Sequence, residues 1–128
     1  MGILRNDITT LKPDDVAIIG IPFDEHGSFL KGPAKAPELI INALESDSAN
    51  FFTEQLTNLD KHPKISWLGN AEFQDYLSIE QSISGILDRG SIPVSLGGDH
   101  SISYPILKAI NAHYGQVNIL HFDAHTDL

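Results

Sequence analysis

Cysteine is absent from this 128-residue chain, which excludes a disulfide framework and any thiolate nucleophile or ligand. That absence fits a reducing compartment. Basic residues are scarce, 8 against 17 acidic, and the formal charge of -9 disfavours attraction to phosphate backbones, so no nucleic-acid partner is expected. The same balance suits a small cationic substrate. No stretch reaches the roughly eighteen consecutive apolar residues of a membrane helix. The opening M-G-I-L-R-N-D-I-T-T brings in Asp7 before any long apolar region and so does not read as a signal peptide. A soluble cytoplasmic protein without a membrane partner is expected. The phosphate-loop pattern G-x-x-x-x-G-K-S/T and the dinucleotide pattern G-x-G-x-x-G are both missing, which removes the usual signs of nucleotide binding. There is no internal repeat and no low-complexity tract.

What is present is an alternation of apolar runs and helical stripes. Val16 to Ile21 is a short apolar run closed by Pro22, as expected for a strand buried on both faces, and a glycine-bearing loop, Phe23 to Pro33, follows it. Ala34 to Leu44 is expected to be helical, with Leu39, Ile40, Ala43 and Leu44 as its apolar stripe and Pro37 in the first turn. Residues 46 to 64 are polar and irregular, with room for one short turn around Phe51 to Leu56. Ile65 to Leu68 suggests a second strand ended by Gly69-Asn70. Ser78 to Leu87 suggests a helix whose Ile79, Ile83, Ile86 and Leu87 cover one face. Ile92 to Leu96 is a third strand, a helix runs from near Ser101 through Leu107 and Ile110, and Val117 to Phe122 supplies a final strand. Strand and helix in this order imply an α/β protein, a three-layer α-β-α sandwich around a parallel sheet.

In such folds ligands gather at the carboxyl ends of the strands. Three polar clusters fall there: Asp24-Glu25-His26, Asp99-His100, and the D-A-H-T-D run from Asp123. Within that run Asp123, His125 and Asp127 alternate after an apolar segment, which is how a strand delivers ligands to one side of its end. Two carboxylates and an imidazole suit a hard or borderline ion such as manganese, whereas a structural zinc site would more often use thiolates. Ile119, Leu120 and Phe122 are expected to carry the segment into the core, where solvated surface acids would be out of place. His100 follows Gly97-Gly98, which let the backbone turn without obstruction. Asp99 either orients a ligand or caps the helix that begins near Ser101.

Charge limits what these residues hold alone. Two divalent ions about 3.5 Å apart repel by ~19 kcal/mol at an effective dielectric of ~20. Asp123 and Asp127 bring two negative charges against four positive, so a two-metal centre needs further acids.

G-I-P-F-D-E-H-G-S-F-L-K-G-P-A-K-A-P from Gly20, S-L-G-G-D-H-S from Ser95 and D-A-H-T-D from Asp123 resemble, in order and spacing, the ureohydrolases, the arginase and agmatinase family. The G-I-P-F-D opening resembles the agmatinase-like branch. Lys31 stands where family members commonly carry arginine, and Ala36 where a glycine often precedes the proline. The resemblance implies an arginase-like fold, of which this chain would be about the first half, one catalytic domain cut after its first aspartate-rich motif. It implies two Mn2+ ions, with His100 on the first, Asp123 bridging, His125 on the second and Asp127 on the first. It implies hydrolysis of agmatine to putrescine and urea by a metal-bridging hydroxide, and a homo-oligomer at full length. Arginine, guanidinobutyrate or formiminoglutamate are alternative substrates. The family's later D-x-D aspartates and its proton-shuttle histidine would lie beyond residue 128. An inactive fragment, or a half-domain that needs a partner, is therefore the competing expectation.

Overall fold

The computed structural model describes residues 2–27 and 30–125. Four strands, β1 (Leu4–Arg5), β2 (Val16–Ile21), β3 (Ile65–Asn70) and β4 (Ile92–Gly97), form one sheet in the order β1-β3-β2-β4. Every pairing is parallel. β2 and β4 run in unbroken register from Val16 opposite Ile92 to Ile21 opposite Gly97. β2 and β3 shift register between Ile18 and Gly20. Parallel neighbours need crossovers, and these carry α1 (Ala36–Leu44) and α2 (Ile79–Leu87), with α3 (Ser103–Tyr114) following β4.

The alternation of side chains along β2 divides the core in two. Ala17, Ile19 and Ile21 join Ile79, Ile83, Ile86 and Leu87 of α2 and Ala109 of α3 on one face. Ile18 points the other way, to a smaller cluster of Ile3, Ile41, Phe51 and Trp67. Helices thus cover both faces, the three-layer arrangement expected.

Local chemistry sets the element ends. Asp75 and Ser78 close a reciprocal capping box ahead of α2. Gly90, at φ 72°, and Gly115, at φ 75°, take the left-handed backbone that lets α2 and α3 stop. Pro37 lies in the first turn of α1, where its missing N–H costs nothing.

Two expectations need correction, and one element is not among those expected. The inward face of α1 is Pro37, Ile41 and Leu44, while Leu39 and Ile40 are exposed. Apolar residues occupy most of this helix, so periodicity does not single out a face, and the proline-anchored first turn sets the rotation instead. The two-residue strand β1 is unanticipated, because it forms only through pairing with Ser66 and Trp67. Val117 to Phe122 is not a strand, and Ile119, Leu120 and Phe122 are 60%, 82% and 89% exposed. An apolar run gains from burial only where a ladder and two covering layers are offered. β4 is the edge of the described sheet, with Ile92 and Val94 themselves exposed, and no described element lies beyond it. No helix among the described residues is long and apolar enough to cross a membrane.

Candidate metal centre

The loops after β2 and β4 and the segment ending at His125 converge on an open cleft of about 640 Å³, bordered by His26, Gly27, His100, Ser101, Asp123 and His125 among others. All three polar clusters expected at the strand ends are represented in or beside it.

His100 opens a single 3-10 turn, His100–Ile102, that Asp99 caps by accepting the Ser101 N–H. Of the two roles open to Asp99, capping is therefore realised. The His100 ring is oriented from behind, with Nδ1 3.3 Å from Ser103 Oγ. Its Nε2 lies 3.8 Å from Asp123 Oδ2. His121 Nε2 stands 3.4 Å from that same oxygen, and the His100 and His121 rings stack at 5.3 Å with 10° between their planes. One ligand atom from each of His100, His121 and Asp123 can be chosen so that all lie within 4.8 Å of one another. Two imidazoles and a carboxylate at that separation form a donor set suited to a divalent transition ion.

Asp123 presents its other oxygen elsewhere. Oδ1 accepts the His125 backbone N–H at 2.8 Å and lies 3.6 Å from His125 Nδ1. That backbone hydrogen bond holds the Asp123 carboxyl below the usual carboxylate range, helped by the charges of His100, His121 and His125. Asp123 thus stays ionised, as a ligand must.

Of the residues expected from the motifs, His100 and Asp123 come together in the cluster. His125 touches Asp123 but sits outside the three-residue group. Asp127 lies outside the described residues. His121 is the member that motif reading misses. Its signal was available, since it shares the parity of Asp123 and His125 along the segment, but it is embedded in an apolar run.

The loop after β2 contributes in two ways. His26 borders the cleft, whereas Asp24 turns its carboxylate onto the N–H groups of Gly32 and Ala34, so it shapes the loop. Asp24 and Glu25 also border a second cavity of about 390 Å³, beside Phe23, Phe73 and Tyr76. Burial pushes the Tyr76 phenol up, keeping it a hydrogen-bond donor to the Ser101 carbonyl at 2.6 Å.

Two histidines and a carboxylate gathered beside the loop after β4 of a three-layer parallel α/β fold are consistent with a metal-dependent hydrolytic site. Residues 14–128 match the arginase family. The chain belongs to that family, the ureohydrolases, at the level of an enzyme family. It is 36% identical over 125 residues to a mitochondrial arginase of Medicago truncatula, covering 88% of this chain and 37% of that protein. The structure of the Medicago truncatula arginase superposes with a TM-score of 0.81 at 35% identity, over 89% of this chain and 40% of that one. An agmatinase of Bacillus anthracis is 35% identical over 124 residues, 93% of this chain and 42% of the relative. The formimidoylglutamase structure from Bacillus subtilis matches with a TM-score of 0.67 at 25% identity, over 87% of this chain and 39% of that one. The chain thus spans less than half the length of the relatives it matches. Family membership is common to all of them, and the agmatinase branch is not singled out.

Proposed function

We propose that this chain is the amino-terminal part of a cytoplasmic ureohydrolase domain. Its full-length protein, as we read it, uses two manganese ions to hydrolyse agmatine to putrescine and urea. The observation that carries this reading is the divided environment of Asp123, with His100 and His121 facing Oδ2 and His125 facing Oδ1. A carboxylate flanked by imidazoles on both oxygens suits a bridge between two ions. His100 and His125 would then hold one ion each, with Asp127 completing the first. The sequence motifs favour His125 and Asp127, and the cluster geometry adds His121.

When bound, such ions supply Lewis acidity that brings water ionisation toward neutral pH. This chain's own residues contribute positioning. Ser103 keeps the His100 ring turned, Asp123 fixes the spacing of the two positions, and the cleft between the loops after β2 and β4 admits a cation. Overall, water adds to the guanidino carbon, the bond from that carbon to the alkylamine nitrogen breaks, and urea and a primary amine leave. Agmatine is favoured by the G-I-P-F-D opening from Gly20. Arginine is the second reading, supported by the likeness to the Medicago truncatula arginase. Guanidinobutyrate and formiminoglutamate are tested alongside it. A requirement for further chain is supported by the share of the relatives covered and by the exposed Ile119, Leu120 and Phe122.

The test is a full-length protein loaded with Mn2+ and offered each of the four substrates, beside its Asp123→Asn variant. Release of urea from agmatine, lost together with most bound manganese in the variant, is the expected result. Normal metal content and turnover in Asp123→Asn would remove the assignment, and preference for arginine would move the substrate.

A further inference from the structure

We propose that Asp99 is a positioning residue that presets His100 for metal capture, by fastening the turn that carries it to the loop after β2. This rests on the metal reading above. Asp99 is 9% exposed and is the one charged residue in the buried set among the described residues. Its Oδ2 accepts the His26 N–H at 3.1 Å, and its Oδ1 accepts both the N–H and the hydroxyl of Ser101. Its own backbone N–H donates to the Phe23 carbonyl at 2.8 Å. Backbone and side chain therefore both reach the same loop, 73 residues away in sequence at His26. A third loop joins in. Tyr76, after β3, donates to the Ser101 carbonyl, and its ring lies 4.5 Å from that of His26 and 5.3 Å from that of Phe23.

The need for such fastening is physical. The turn runs straight into α3 at Ser103, so the helix holds its far end. His100 sits at the opposite end, where the first N–H groups have no partner within the helix, and the direction of its side chain is set by whatever ties that end down. The Asp99 carboxylate faces three donors and no acceptor, which suits a group that only accepts. Asparagine has nearly the same shape, but its amide would point a donor at either His26 or Ser101 and leave one N–H unsatisfied. The turn would then loosen from one side, and His100 would have to be ordered as the ion binds. Changes in residues that orient a metal ligand cost about 10–100-fold in affinity.

The experiment compares wild type, Asp99→Asn and Ile83→Val, the last a conservative core change in α2 that lowers stability and makes none of the latch's hydrogen bonds. Mn2+ binding is followed by the paramagnetic resonance of the free ion, well below every melting point. Amide exchange at His26 is measured on the metal-free proteins. Asp99→Asn is expected to bind Mn2+ about tenfold or more weakly and to exchange the His26 amide faster, with Ile83→Val matching wild type in both. Affinity within about twofold of wild type, or unchanged His26 exchange, overturns the proposal, since a purely structural Asp99 would lower only the melting point. Absence of Mn2+ uptake by wild type would count against the metal reading. In that case the His26 exchange and the His100 imidazole shift of the metal-free Asp99→Asn protein still decide the latch, and it is overturned if neither moves.

Discussion

Gly98 passes so close beneath Phe23 that a β-carbon on the glycine would overlap the Phe23 carbonyl oxygen and crowd that residue's backbone nitrogen. Its own N–H donates to Ile21 at 3.2 Å, so the backbone after β4 continues to pair with the end of β2. The glycine is required here for space, and the obstacle is main chain, which cannot swing aside. Gly98→Ala is expected to cost about 2 kcal/mol or more, at the upper end of what overpacking does. Urea denaturation measures it. A midpoint equal to wild type would mean that the two loops are not held together as described.

The two helix faces give a paired prediction. Ile83 is wholly buried between α2 and the sheet, while Leu39 is 63% exposed on α1. Ile83→Ala should lose about 2–5 kcal/mol through lost burial and the cavity left behind. Leu39→Ala should stay within about 0.5 kcal/mol of wild type. Equal losses would restore Leu39 to an inward stripe and contradict the observed rotation of α1.

These two residues also show what the sequence makes legible. On α2, polar residues fill the gaps between Ile79, Ile83 and Ile86, leaving one possible face, and the structure buries that face. On α1, Leu39, Ile40, Ile41, Ala43 and Leu44 leave the face open, and the first turn anchored by the buried Pro37 decides. Asp99 is legible as a cap, since capping is local, but its reach to His26 depends on tertiary structure. The motifs single out His100 and Asp123, 23 residues apart in sequence, because family resemblance carries long-range information, and the two meet in the geometric cluster. His121 and β1 escape, one hidden in an apolar run and the other existing only through its partner strand.

Asp24 predicts a pH dependence. The Gly32 N–H, 2.7 Å from Oδ2, holds its carboxyl below the ordinary value, with Ala34, Lys31 and Lys35 acting in the same sense. A folded-state value below the unfolded one means stability that is fully present above the unfolded carboxylate value and is lost as pH falls through the lower, folded one. Asp24→Asn should therefore melt below wild type at neutral pH, and the gap should close below about pH 4. Thermal melts across that range read it directly, and a gap independent of pH would show that the carboxylate charge contributes nothing.

His121 and His125 separate the two descriptions of the metal centre. The geometric cluster pairs His121 with His100 on Asp123 Oδ2, while the D-A-H-T-D motif points to His125, which stands on Oδ1 with its side chain 83% exposed. If both descriptions hold, the two histidines serve different ions. His121→Ala then weakens the first Mn2+ by more than the roughly 10–100-fold expected of an outer-sphere change, leaving occupancy below one equivalent at micromolar metal. His125→Ala leaves that first equivalent nearly intact and removes the second. The stoichiometry of Mn2+ titrations on full-length protein distinguishes these patterns, because loss of a ligand from one position changes one binding step and not the other. Should His121→Ala bind like wild type while His125→Ala loses the second ion, His121 would be a bystander stacked on a true ligand. The centre would then be built from His100, Asp123 and His125, and Ile119 to Phe122 would carry His121 only as part of the segment that presents the motif.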